Sequence, residues 1–124
     1  MNEKVLMGVR ILLGLLMLIF GINKFVGFLP MPPLDGDAAT LMGIYAGSGF
    51  FTLIGVLEIV FGAALLANKY VPLALTVLTA IMFNAAVFHL LHDPGGIGGA
   101  AVSLLLCLAA VYGSKDRFKS LLSA

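Results

Sequence analysis

The stretch Phe50-Phe-Thr-Leu-Ile-Gly-Val-Leu-Glu58-Ile-Val-Phe-Gly-Ala-Ala-Leu-Leu-Ala67 carries a single charge, at Glu58. Coiled as a helix at 1.5 Å per residue it is about 27 Å long, close to the thickness of a bilayer's hydrocarbon core. An ionised carboxylate in that medium costs about 3 kcal/mol or more unless it has a partner or a proton. The stretch therefore predicts a membrane span with a polar centre. The search for function starts at Glu58 and at whatever can answer its charge.

Composition agrees with that reading. The 124 residues are 61% hydrophobic and only 10% charged, with a mean hydropathy of +1.13, whereas a soluble chain is about 25% charged. A chain of this size makes one domain, residues 1–124, and its apolar mass is too continuous to hide in so small a core. The net charge of +1 supplies no basic field for nucleic acid. Cys107 is the only cysteine, so no intrachain disulfide and no Cys-x-x-Cys exchange pair can form. It reads as a small residue facing lipid or a neighbouring helix.

Three further stretches reach spanning length, giving spans at about 5–25, 50–67, 70–91 and 97–112. The first, with Lys4 ahead of it, has the outline of a signal peptide. Arg10 interrupts it and no Ala-x-Ala site follows, so a retained span is expected. Pro30, Pro32 and Pro33 end the first helix. Asp35-Gly36-Asp37 reads as a turn, with Asp37 capping a short helix from Ala38 to about Ala46. Gly47-Ser48-Gly49 then either breaks the chain or bends one continuous helix. Asn68-Lys69-Tyr70 is a tight link before Pro72, and Asp93-Pro94-Gly95-Gly96 is a turn.

Lys4, Lys69, Lys115, Arg117 and Lys119 fall on one side of these spans, and Asp35, Asp37 and Asp93 on the other. The positive-inside rule puts both termini in the cytoplasm. Short links make consecutive spans antiparallel neighbours. The expected fold is all-α: an integral membrane antiparallel four-helix bundle with a short extracytoplasmic helix between the first two spans. The tail, 114–124, reads as an interfacial helix with Phe118, Leu121 and Leu122 toward lipid. Gly14, Gly21, Gly55, Gly62, Ala85 and Ala86 allow close helix approach. Gly43/Gly47 and Gly95/Gly99 have GxxxG spacing, and packing within one bundle is favoured over dimerisation.

Arg10 and Lys24 are about four turns apart and share a stripe with Leu13, Gly14, Met17 and Gly21. Gly55, Glu58 and Gly62 share a face by the same logic. Helical side chains lean toward their own N-terminus, so Lys24 and Glu58, on helices of opposite direction, lean toward each other. Asn84 is expected at an intermediate depth, with His89 near the outer rim. Arg10 leans the other way, to carbonyls or lipid phosphate, with enough length to reach back. Each has a plain structural reading too: a register-fixing ion pair for Glu58, a snorkelling cation for Lys24 or Arg10, an interhelical hydrogen bond for Asn84, a packed rim residue for His89. His92 reads as solvated loop beside Asp93. No metal site is expected, because two histidines lack a third ligand in any fixed-geometry pattern. Phe25, Phe28, Phe50, Phe51 and Phe88 crowd the outer end, as interfacial packing or as walls for a quinone or lipid.

Arg10-Ile-Leu-Leu-Gly14, then Phe20-Gly21-Ile22-Asn23-Lys24-Phe25, then Gly55-Val-Leu-Glu58-Ile-Val-Phe-Gly62, then Pro72 with Ala74 and Met82 through His89, together resemble DoxX-like membrane proteins. The likeness spans almost the whole chain. It implies a four-helix protein of a bacterial or archaeal inner (plasma) membrane, with Arg10, Lys24, Glu58 and His89 at the family's polar positions. It also implies an accessory subunit of a quinone-linked membrane redox complex, with redox partner proteins in the same bilayer and quinone as the cofactor to test. The chain has no self-sufficient catalytic motif. On this reading Glu58, Lys24, Asn84, His89 and Arg10 are ligand-binding candidates. The other reading is a non-enzymatic scaffold or assembly protein whose polar set only holds the bundle, and a homo-oligomer fits either. A small transporter has less to recommend it, since no inverted repeat or broken mid-membrane helix is evident.

Overall fold

The computed structural model describes residues 1–123, Leu122 by its backbone alone. The described residues form six helices: α1 (Glu3–Val26), α2 (Gly36–Ser48), α3 (Phe50–Ala67), α4 (Val71–His92), α5 (Gly98–Gly113) and the short α6 (Lys119–Leu122). Single 3-10 turns occupy Pro94–Gly96 and Lys115–Phe118, and there is no strand among the described residues.

α1, α3 and α4 are long and apolar enough to cross a membrane. α5 is shorter than the fourth expected span requires. Its 16 residues make about 24 Å of helix, and it reaches spanning length only with the segment to Leu121, from which it is bent by 82°. Large apolar side chains face outward all along these helices: Leu12, Val60, Phe83 and Leu105 are each about half exposed or more. Such a surface is untenable in water and ordinary in lipid.

The helix ends follow local chemistry. Asn2 accepts a hydrogen bond from the Lys4 backbone N–H at the start of α1. Gly27, at φ 68°, closes α1 in the left-handed region, and the Asn23 side chain accepts from the Leu29 N–H, holding the exit toward the prolines. α2 overruns its expected limits at both ends. Its N-cap is Asp35, whose extended backbone suits that position, so Asp37 lies in the first turn and caps nothing. Gly49, at φ 89°, separates α2 from α3, which decides between a break and one bent helix.

α1 packs against α3 and α5, α4 packs against the same two, and α2 lies across α3 and α4. Leu13, Met17, Leu65, Leu75, Leu78 and Cys107 are fully enclosed between them. Gly113 at the end of α5 abuts Leu6 and Met1, so the N-terminus and the end of α5 share one end of the molecule. The tail corrects the expectation made for it. Phe118 is buried with the core, because the chain turns sharply after α5 and folds the ring under the helix ends. Leu121 is exposed. The Leu122 side chain and Ala124, assigned to the same interfacial helix, lie outside the described residues.

Candidate polar site between α1 and α3

Two matching stripes build the site. On α1, Gly14, Met17, Gly21 and Lys24 are spaced 3-4-3; on α3, Gly55, Glu58, Gly62 and Leu65 repeat that spacing. The helices run antiparallel, with Gly14 against Gly62 and Gly21 against Gly55. Glycine is needed here for space. A Cβ on Gly21 would fall 2.9 Å from the Gly55 carbonyl oxygen, and one on Gly62 would fall 3.0 Å from the Gly14 carbonyl oxygen. Backbones this close leave no lipid between the stripes, so a residue on either one is either in contact with the other helix or buried beneath it.

Glu58 is buried there completely, at 0% exposure. Lys24 Nζ lies 2.5 Å from Glu58 Oε1, and the lysine side chain keeps 16% of its surface exposed. The ammonium also sits 5.2 Å from the centre of the Phe51 ring, within cation–π range. The contact is one of charge and proximity. Its angles fall outside those of a well-formed hydrogen bond, and neither oxygen of the Glu58 carboxylate has another hydrogen-bond partner among the described residues. A carboxylate has about four acceptor sites. This one therefore retains unused capacity in a dry seam, where such capacity matters most.

The other candidates lie apart from this pair. Arg10 donates from Nη1 to the carbonyls of Leu65 and Leu66, in the last turn of α3. Carbonyls in a last turn lack the usual i+4 partner; that of Leu65 also accepts from the Asn68 N–H, and a guanidinium can donate to both. Arg10 is thus a clamp between α1 and the end of α3, two turns away from Glu58. His89 Nδ1 lies 3.1 Å from Asp93 Oδ2 at the end of α4. His92 is in the last turn of α4 rather than in a loop, with its ring 5.9 Å from that of Phe88.

Asn84 departs furthest from expectation. It is exposed on α4, and its Nδ2 donates back to the Ala80 carbonyl at 2.9 Å. The reason is angular. The face of α4 turned inward carries Ala74, Leu75, Leu78 and Met82, and Asn84 falls on the other side of the helix. There it borders a groove of about 650 Å³ between α4 and α5, with Thr76, Thr79, Phe83 and Leu108. α1 and α3 do not line it. The expected pocket joining Glu58, Lys24, Asn84 and His89 is not assembled, because its four residues lie in three separate places.

The DoxX family profile matches residues 5–91, which includes Arg10, Lys24, Glu58, Asn84 and His89. The chain belongs to the DoxX family. It is a membrane protein with transmembrane helices, as the apolar helices of this DoxX chain require. No curated protein and no solved structure shows a significant match to it. The family match ends at Leu91, before α5 and the tail.

Some polar contacts escaped the sequence reading. Asp93 as partner of His89 was legible as an i,i+4 pair. Phe51 sits seven residues before Glu58, hence on the same face, and that spacing marked it as a neighbour of any cation reaching Glu58. Ser103 and the Thr79 hydroxyl, both buried without a hydrogen-bond partner, carry no signal in a chain with so many small residues.

Proposed function

We propose that this DoxX chain is an accessory subunit of a quinone-linked redox complex in a bacterial or archaeal inner membrane. In this reading the whole chain is one membrane domain, a four-span bundle with both termini in the cytoplasm. Family membership supports the setting, and the distribution of lysine supports the topology. The single observation that carries the site is the Lys24–Glu58 contact, a buried carboxylate held by one cation with its second oxygen free. Such a pair suits a carbonyl ligand arriving from the lipid at the exposed edge of Lys24, with the ammonium donating to it and the buried carboxylate holding the ammonium in place. Arg10, Asn84 and His89 are proposed as the further polar positions, acting on partner contacts or on ligand entry rather than in one cluster.

The test is direct. Purified protein in lipid nanodiscs is titrated with a short-chain quinone while its melting temperature is followed. The proposal expects a saturable upward shift that Glu58→Gln with Lys24→Met removes. No shift with either protein counts against it.

One observation favours a second reading, a scaffold or assembly protein. The pair lies on the same stripe as the glycines that seat α1 on α3, where an ion pair can serve register alone. That reading expects the volume-matched double variant to keep its membrane partners in a pull-down, and a homo-oligomer would be part of the scaffold.

A further inference from the structure

Asn84 is an exposed amide at mid-membrane that its own helix satisfies only in part. α4 is about 33 Å long, and Asn84 sits thirteen residues from its start, within about 4 Å of its middle. The side chain is exposed on a helix that crosses the bilayer, so lipid surrounds it. One N–H is taken by the Ala80 carbonyl. Among the described residues nothing takes the other N–H or the Oδ1 acceptor, and hydrocarbon offers neither a donor nor an acceptor.

The surface around it is shaped for another helix. Thr76 and Ala80 stand two turns and one turn before Asn84 on α4, small side chains of the kind that let backbones approach closely. Phe83, 59% exposed, projects beside them, and the groove between α4 and α5 lies next to it. The comparable glycine stripes on α1 and α3 are already spent on each other inside the chain.

We propose that this face is a two-fold interface with a second copy of the chain, in which Asn84 pairs with Asn84 of the other copy. The occupant follows from the chemistry of the amide. What remains free is one donor and one acceptor on a single side chain, and a two-fold axis brings each donor to the other copy's acceptor. The face has no charged residue: α4 carries none from Val71 to Phe88. A symmetric contact therefore meets no like-charge repulsion, and a partner helix bearing a cation or carboxylate would find no opposite charge to pair with. Each Phe83 then serves as the knob for the other copy's groove. The inference does not depend on the redox reading.

The experiment uses full-length protein in liposomes at falling protein-to-lipid ratio, with stoichiometry read by single-molecule photobleaching. Wild type is expected as dimers. Asn84→Leu is expected to need about tenfold higher density for half-dimerisation, the effect of losing one to two membrane hydrogen bonds. Ala80→Ile, which blocks close approach without touching the amide, is expected to do the same. In a Cys107→Ala background, Val87→Cys on this face should crosslink and Ile19→Cys on α1 should not. Monomers at every density, an Asn84→Leu curve matching wild type, or equal crosslinking at Ile19 would each overturn the interface.

Discussion

Glu58 is sealed from every solvent while the ammonium of Lys24 that touches it at 2.5 Å stays partly open at the helix edge. The asymmetry has a mechanical origin. Glu58 is bracketed by Gly55 and Gly62 and so lies where the two backbones are closest, whereas Lys24 enters from one turn beyond Gly21.

The glycine seam should be intolerant of a single methyl group. Gly21→Ala places a Cβ 2.9 Å from the Gly55 carbonyl oxygen, which is backbone and cannot swing away. We expect a loss of about 1–3 kcal/mol. Gly8→Ala is the control, since a Cβ there meets nothing within 4 Å, and it should stabilise by about 0.5–1 kcal/mol through helix propensity. Thermal unfolding in one detergent distinguishes the two.

Arg10 should act as a clamp on the end of α3. Arg10→Met strips a charged donor from the Leu65 and Leu66 carbonyls, and a hydrogen bond to a charged group is worth about 1.5–3 kcal/mol. Amide exchange in the last turn of α3 is expected to quicken. Exchange at Glu58, two turns away, should change less. Equal acceleration along α3 would mean that Arg10 holds the whole helix and not its end.

Much of this was legible in the sequence, for identifiable reasons. Charge-free stretches found α1, α3 and α4 because lipid imposes one requirement on every residue. Lys24 and Glu58 could be paired because side-chain lean and antiparallel direction act together, and both are fixed by helix geometry. Asn84 was misplaced since depth along a helix says nothing of rotation about it, and α4 is apolar all round, so no amphipathic stripe marked its inner face. The length of α5 and the burial of Phe118 depended on the bend after Gly113. No proline announces that bend.

Topology gives a separate prediction. Single cysteines at Lys69 and at Asp35, in a Cys107→Ala background, should label from opposite sides of sealed inverted vesicles with an impermeant maleimide. Lys69→Cys is expected to react from the cytoplasmic face. Labelling of both positions from one side would contradict the lysine-based orientation.

The interior polar set predicts a difference between deleting one charge and deleting two. Lys24→Met leaves the Glu58 carboxylate buried with no cation, for which about 3–5 kcal/mol is typical. Glu58→Gln removes that penalty, so the pair Lys24→Met with Glu58→Gln should recover most of the loss. The decisive measurement is therefore a double-mutant cycle on these two residues, read by reversible unfolding in bilayer-like lipid. The account predicts a coupling of about 2 kcal/mol or more. A coupling below about 0.5 kcal/mol, the level of an exposed surface pair, would contradict it and remove the site with it.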